Sequence, residues 1–156
     1  MIIVLQRVSG AEVEAEGKVA GRIGRGVCLL VGVEKGDGRE EARFLARKTA
    51  ELRIFPDDRG KMNLSLRDVE GQALAVSQFT LAASVRKGRR PSFDGAEEPA
   101  KAAEIFGAFV ADLRACGVKV ETGVFQALMK VRLTNDGPVT FILESRPTLR
   151  PQSSED

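Results

Sequence analysis

The stretch "MKVRLTNDGPVTFIL", residues 129–143, contains two strand-like runs separated by Asn135-Asp136-Gly137-Pro138. Asn, Asp and Gly tolerate positive φ angles, so these four residues predict a hairpin turn between two strands. Proline is unusual beside a strand because it has no N–H to give to a sheet ladder. The stretch is therefore either a turn alone or a turn whose rigid backbone carbonyls recognise a ligand. Its spacing does not decide between the two.

Apolar periodicity along the rest of the chain predicts a mixed α+β fold. Residues 39–53 and 97–115 have the apolar spacing of helices, and Gly117 is placed to end the second helix. About seven strand-like runs accompany these two main helices. They include a hairpin turning at Gly17-Lys18 and buried strands over residues 26–37 and 72–83.

Length and composition indicate one globular domain. The chain has 156 residues, of which 43% are hydrophobic and 29% charged. We expect a single domain over residues 1–145, followed by a polar tail, residues 146–156, that contains two prolines and is expected to be disordered. The net charge of +2 says little about partners, so any local basic cluster matters more.

The absence of histidine from the whole chain restricts the chemistry. It excludes Ser-His-Asp and Cys-His catalysis and zinc sites that contain histidine. No cysteine cluster suggests a metal, and no motif indicates a cofactor. The paired acids Asp57-Asp58 and Glu97-Glu98 are better interpreted as loop and helix N-terminal charges than as metal ligands.

The cysteines and the apolar runs favour a cytoplasmic location. Cys28 lies in an apolar run and is predicted to be buried, whereas Cys116 lies near a helix end. A disulfide between them stays possible, but two cysteines do not form a disulfide framework, which favours a reducing compartment. No signal peptide and no apolar run of membrane-spanning length is found, so no membrane partner is expected.

Polar residues end the buried run "QALAVSQFTLAA", residues 72–83. If the strand continues, a period of two places Ser77 and Phe79 on one face, and Gln78 and Thr80 on the other. They are either polar strand-end residues satisfied by nearby backbone or a substrate-facing strand end. Thr80 is a poor nucleophile because no base lies beside it in the sequence.

A basic cluster follows, formed by Arg86, Lys87, Arg89 and Arg90 in "RKGRRPSF". This stretch is either a solvated loop or a loop that contacts phosphates, which needs charge rather than a fixed geometry. Phe93 would either stack on a base or anchor the loop.

Taken together, these stretches resemble the D-aminoacyl-tRNA deacylase (D-tyrosyl-tRNA deacylase) family. The resemblance extends to about Ser145. "VSQFTL" and "NDGPVT" resemble the two signatures of the family, while "VLQRVSGAEV", "LRIFPDDRGKMNLSL" and "RKGRRPSF" resemble its flanking segments. Two separated signatures in the right order make this resemblance specific.

The resemblance implies a homodimer with active sites at the subunit interface and a barrel-like sheet in each subunit. It implies hydrolysis of the ester between a D-amino acid and tRNA, with glycyl-tRNA as a further substrate and no cofactor. A cis Gly137-Pro138 bond would enter the partner's pocket and reject L-amino acids. Arg7 would hold this dipeptide, with Val139 and Thr140 in supporting positions.

The first signature, Ser77-Gln78-Phe79-Thr80, is implied to hold the aminoacyl group and the terminal adenosine. Backbone N–H groups near Phe79 and Thr80 would form an oxyanion hole, and Met129 would lie near the pocket. Thr80 is either a covalent nucleophile or a positioning residue while the ribose 2′-hydroxyl assists water. The absence of a base favours the second mechanism.

Three positions depart from the family pattern, namely Ala82, Gln126 and Leu128, and are expected at the pocket rim or in dimer contacts. Two other classes of function compete with the deacylase. One is a non-catalytic tRNA-binding or RNA-binding module that uses the basic loop at residues 86–90. The other is a structural or interaction protein, which would leave the polar end of "LAVSQFT" unexplained.

Overall fold

The computed structural model describes residues 1–146, so all of the expected tail except Arg146 lies outside the described residues. Within them the chain forms two helices, eight strands and a short 3₁₀ turn at Phe79–Ala82. The elements, in chain order, are β1 (Ile2–Ala15), β2 (Lys18–Ile23), β3 (Gly26–Gly32), α1 (Arg39–Glu51), β4 (Phe55–Pro56), β5 (Met62–Leu64), β6 (Gln72–Ser77), α2 (Pro99–Ala115), β7 (Lys119–Thr122) and β8 (Met129–Glu144).

Strand β1 is the centre of the main sheet. One of its edges pairs with β8 along nearly its whole length, and the other is shared between β3 and β2. Strands β3, β6 and β7 are mutually parallel, and α1 and α2 make the crossovers that parallel strands require. The result is a mixed, nearly closed, barrel-like sheet with two helices, which confirms the predicted α+β fold.

Successive side chains of a strand point to opposite faces of the sheet, and this alternation divides the buried core into two layers. On β3 and β6, Leu29 and Ala75 face the layer that contains the helices, whereas Cys28 and Leu74 face the interior of the sheet. The burial predicted for Cys28 is confirmed, and burial raises the pKa of its thiol to about 11. Both cysteines are free thiols.

Both helices lie where the apolar spacing predicts them. The Glu41 side chain accepts the Gly38 N–H at 2.8 Å at the start of α1. Backbone hydrogen bonds from Glu41 and Gly38 lower the pKa of the Glu41 carboxyl. Helix α2 begins at Pro99, a residue suited to a first helical position, and Phe109 and Leu113 on it are fully buried. No helix within residues 1–146 is long and apolar enough to cross a membrane.

The predicted hairpin around Asn135-Pro138 is wrong. Residues 129–144 form one strand, because both halves pair in the same antiparallel direction with β1. Ala15 lies opposite Met129 and Ile2 opposite Glu144, with register shifts between Gln6 and Gly10. Residues 136–138 therefore protrude from a continuous strand instead of reversing the chain.

Two smaller expectations are also corrected. Strand β6 ends at Ser77, and Phe79–Ala82 form a 3₁₀ turn, so the alternation predicted for residues 77–80 does not hold. Pro56 and Gly60 predict a loop over residues 55–63, but the short strands β4 and β5 pair there in antiparallel fashion.

Candidate functional site

A cavity of about 1030 Å³ opens where β6 ends. Ser77, Gln78 and Phe79 form its polar end, and Met129 lies on its wall. Most of the remaining lining is apolar and comes from three regions: the ends of β3 and β6, residues 93–106, and residues 125–131. A concave, mainly apolar space with a few polar groups at one end is typical of a small-molecule site.

The polar end of the cavity is a tight turn held against β3. The Gln78 N–H donates to the Val31 carbonyl at 2.8 Å, and the Leu81 N–H donates to the Gln78 carbonyl at 3.3 Å. Gly32 allows this approach, because a Cβ there would lie 2.8 Å from Leu81 Cβ. The turn is therefore fixed by backbone contacts rather than by its own side chains.

Two backbone donors of this turn are unused. Within residues 1–146, no acceptor takes the N–H of Phe79 or of Thr80. The first N–H groups of a helical turn have no partner inside the turn. Phe79 lines the cavity, so one of the two free donors belongs to a lining residue and the other to the residue that follows it.

Thr80 itself is exposed, and its hydroxyl oxygen accepts a hydrogen bond from the Gln78 amide at 2.5 Å. It does not belong to the cavity lining. No carboxylate or lysine within residues 1–146 contacts the Thr80 hydroxyl, so the structure gives this hydroxyl no base.

Gly137 and Pro138 lie away from the chain's own cavity, exposed on the protrusion from β8. The peptide bond between them is cis. Gly137 has a φ of +144°, and a Cβ there would lie 2.6 Å from Val139 Cγ2. Glycine is therefore the residue that this position accepts.

Arg7 joins the protrusion to the rest of the molecule. Its Nε donates to the Asp136 carbonyl at 2.9 Å, and its Nη1 donates to the Ile54 carbonyl at 2.7 Å. One guanidinium thus fixes the residue before Gly137 and the segment that leads into β4.

Asn135, which the sequence interpretation treated only as a turn residue, spans the protrusion. Its Oδ1 accepts the Val139 N–H at 2.7 Å, and its Nδ2 donates to Thr140 Oγ1 at 3.0 Å. Gln6 also donates to Thr140 Oγ1, at 3.4 Å. The available signal was that Asn side chains bond backbone N–H groups a few residues away.

The basic loop leaves all four of its cationic residues exposed. Ser84 and Ser92 pair across its base, each N–H donating to the other's carbonyl, at 2.7 and 2.9 Å. Phe93 packs against Phe79 with ring centroids 5.2 Å apart. The loop therefore stands at the mouth of the cavity beside two exposed aromatic rings.

The three departures from the family pattern lie close to the cavity. Gln126 and Leu128 line it, and the Leu128 side chain is 95% exposed. Gln126 has a φ of +64°, a region that glycine adopts more readily. Ala82 lies in the 3₁₀ turn.

One acid of each pair, Asp57 and Glu97, has a structural role, in keeping with the predicted loop and helix N-terminal charges. Asp57 Oδ1 accepts the N–H groups of Arg59 and Lys61, which close the loop between β4 and β5. Glu97 accepts the Glu98 N–H at 2.9 Å and pairs with Lys101 at 3.3 Å. The hydrogen bond from Glu98 is the main cause of the lowered pKa of the Glu97 carboxyl. Across residues 1–146, no group of His, Cys, Asp or Glu is arranged to hold a metal ion.

Comparison with known proteins gives one consistent result. Residues 4–144 match the family model described as D-Tyr-tRNA(Tyr) deacylase. A D-aminoacyl-tRNA deacylase from Geobacter sulfurreducens is 58% identical over 146 residues, which cover 94% of this chain and 96% of that protein. The enzyme of the same name from Persephonella marina is 56% identical over 146 residues, covering 94% of this chain and 99% of that one.

Two solved structures share the fold. A c-Myc DNA unwinding element binding protein superposes with a TM-score of 0.88 at 38% identity, covering 94% of this chain and all of that one. A probable eukaryotic D-amino acid tRNA deacylase superposes with a TM-score of 0.76, covering 91% of this chain and 97% of that one. At 20% identity, this second likeness is evidence of the fold alone.

Proposed function

Because this chain belongs to the D-Tyr-tRNA(Tyr) deacylase family, we propose that it hydrolyses the ester bond of D-aminoacyl-tRNA and releases a free D-amino acid and tRNA. It is a hydrolase of aminoacyl-tRNA, and removal of D-amino acids from tRNA is a proofreading reaction of translation. A cytoplasmic location follows from that substrate as part of the proposal.

The observation that carries the proposal is the pair of free N–H groups of Phe79, which lines the cavity, and of the adjoining Thr80. When water attacks the ester carbonyl carbon, the carbonyl oxygen gains negative charge, and the ribose 3′ oxygen leaves with a proton. Each fixed donor aimed at the developing charge typically lowers the activation barrier by about 2.7–4 kcal/mol. The N–H groups of Phe79 and Thr80 fit that role because nothing within the described chain competes for them.

The same geometry favours a mechanism with few catalytic side chains. Thr80 has no base, and its hydroxyl oxygen already accepts a hydrogen bond from the Gln78 amide. We therefore assign to the terminal ribose 2′-hydroxyl the role of assisting water and protonating the 3′ oxygen. Ser77, Gln78 and Met129 position the aminoacyl-adenosine. In favourable cases, orientation of this kind lowers the activation barrier by roughly 7–11 kcal/mol.

Rejection of L-amino acids is assigned to Gly137 and Pro138 of a second copy of the chain. Neither residue lines the cavity of its own chain, and Arg7 and Asn135 hold the protrusion in a fixed shape. Its Asp136–Pro138 backbone is suited to enter a neighbouring cavity. There its carbonyl oxygens would accept hydrogen bonds from the α-ammonium of a D-aminoacyl group. An L-aminoacyl group would instead direct its side chain into this backbone, whereas glycine has no side chain to exclude.

A homodimer agrees with the surface around the protrusion. Strand β8 pairs with β1 alone among the described strands, which leaves its other edge open. Phe141 and Ile142, on the same strand, are large apolar residues with 38% and 66% of their surface exposed. Open edges and exposed apolar patches of this kind are features that a partner covers.

The proposal is tested with D-tyrosyl-tRNA, L-tyrosyl-tRNA and glycyl-tRNA at equal concentrations. We expect rapid release of D-tyrosine, measurable release of glycine and no release of L-tyrosine above the spontaneous rate. Equal rates on the two tyrosyl enantiomers, or no hydrolysis of either, would overturn the proposal. Slow glycine release alone would remove only the glycyl substrate from it.

A second candidate is a nucleic-acid-binding module without catalysis. It is favoured by the four exposed cations of the basic loop and by the relative described as a DNA unwinding element binding protein. Such a module would bind charged and uncharged tRNA equally, with steep salt dependence. Tighter binding of D-aminoacyl-tRNA than of uncharged tRNA would exclude it.

A further inference from the structure

The cavity contains one lysine that the proposed reaction does not use. Lys35 lines the cavity and is exposed, and within residues 1–146 its ammonium has no ion pair or hydrogen bond. The other charged residues of the lining are Glu97 and Glu98, and Glu97 is already paired with Lys101. Lys35 is therefore a cation without an ion pair in the cavity to which the proposed function assigns the aminoacyl-adenosine.

The backbone fixes where this cation lies. The Lys35 N–H donates to the Gly95 carbonyl at 3.0 Å, and the Glu97 N–H donates to the Val33 carbonyl at 3.1 Å. Val31, Val33 and Lys35 all line the cavity, and Val31 accepts the N–H of Gln78 at its polar end. Lys35 follows Val31 by four residues and lies in the turn after β3, which ends at Gly32, so we place it away from the ester position, toward the nucleotide end.

The charges along this wall match those of the substrate. An aminoacyl-nucleotide carries a cationic α-ammonium at its ester end and an anionic phosphodiester on the 5′ side of its ribose. Glu98, at the start of α2, directly follows Glu97, which pairs with Val33. Lys35 pairs with Gly95, which lies two residues before Glu97. The carboxylate thus lies nearer the ester end and the lysine nearer the phosphate end.

We propose that Lys35 binds the 5′-phosphate of the terminal nucleotide of tRNA. The inference rests on the proposed function and deepens it. An ammonium suits this task because it contacts phosphate as a compact charge without a demanding geometry.

The test uses two small substrates that differ only in that phosphate, 3′-D-tyrosyl-adenosine and its 5′-phosphorylated form. We expect wild-type protein to show a KM about tenfold lower for the phosphorylated compound, the typical effect of one hydrogen bond to a charged group. Lys35→Gln should abolish this preference, because it should raise the KM for the phosphorylated compound about tenfold more than the KM for the unphosphorylated one. Lys35→Arg should retain most of it.

On full-length D-tyrosyl-tRNA, Lys35→Gln should also reduce the slope of log KM against log salt by about 0.7, the value for one lost contact with a single strand. Lys48→Gln, which removes an exposed lysine of α1 outside the cavity, is the matched control and should change neither quantity. Circular dichroism checks that each variant is folded.

Several outcomes overturn the inference. The first is a preference for the phosphorylated compound that survives in Lys35→Gln. The second is an equal rise in the KM for both small substrates in that variant, and the third is a wild type without any preference between them. Hydrolysis of 3′-D-tyrosyl-adenosine by the wild type keeps the proposed function intact in each of these cases. Absence of hydrolysis of either compound and of D-tyrosyl-tRNA would overturn both proposals together.

Discussion

At the scale of single residues, Thr80 separates the two chemical mechanisms. Its hydroxyl is exposed, accepts a hydrogen bond from the Gln78 amide at 2.5 Å and contacts no base. What the proposed mechanism takes from this position is the backbone N–H, which every residue except proline provides. In that mechanism the Thr80 side chain contributes little to the rate of hydrolysis.

We expect Thr80→Ala to lower kcat by less than about tenfold on D-tyrosyl-tRNA, the effect of losing one neutral hydrogen bond. Loss of a covalent nucleophile would lower kcat on the order of 10⁶-fold. Single-turnover kinetics measure the difference directly. An inactive but folded variant, or an acyl group on Thr80 detected by mass spectrometry, would restore Thr80 as the nucleophile.

At the scale of elements, β8 shows how a strand can carry a protrusion without ending. Its two halves stay in the same antiparallel ladder with β1, and three residues bulge out between them. Asn135 closes the base of the bulge by accepting the Val139 N–H and donating to Thr140. The shape of the protrusion therefore depends on one amide side chain in addition to Arg7.

Asn135→Ala should destabilise the protein by about 1–3 kcal/mol, because it leaves the Val139 N–H without its acceptor. The melting temperature should fall by at least about 2 °C, and discrimination between D- and L-tyrosyl-tRNA should weaken. Asn135→Asp keeps the acceptor oxygen and should retain more of both properties. Thr134→Ala, at the exposed neighbouring position, is the control. Unchanged discrimination in a destabilised Asn135→Ala would leave this residue a purely structural role.

At the scale of the whole molecule, the proposal requires two copies of the chain at each site. Gly137 and Pro138 do not line the cavity of their own subunit, so each site would combine the cavity of one copy with Gly137 and Pro138 of the other. A closed twofold dimer makes both sites equivalent.

This requirement predicts complementation between two inactive variants. Ser77→Phe fills the polar end of the cavity, and Gly137→Ala places a Cβ 2.6 Å from Val139 Cγ2. Each homodimer should be inactive, whereas unfolding and refolding an equal mixture should restore about a quarter of the sites, since half of the dimers are mixed and each has one intact site. No recovery, despite mixed dimers detected by native mass spectrometry, would place both elements in one subunit's site.

The sequence by itself determined what depends on nearby residues. Apolar spacing predicted α1 and α2, the run around Cys28 predicted a buried strand, and the two signatures predicted the family. These are local patterns, and they persist whatever the rest of the chain does. The absence of histidine likewise restricted the chemistry without any coordinates.

Only the tertiary structure decided the features that depend on long-range pairing. Whether "TNDGP" reverses the chain depends on how residues 139–144 pair with β1, more than 130 positions away, and local turn propensity does not contain that information. The same holds for the 3₁₀ turn after Ser77, which is held by Val31 and fits against Gly32. Lys35 became part of the cavity because residues 33–35 pair with residues 95–97, a juxtaposition that no motif around this lysine indicates.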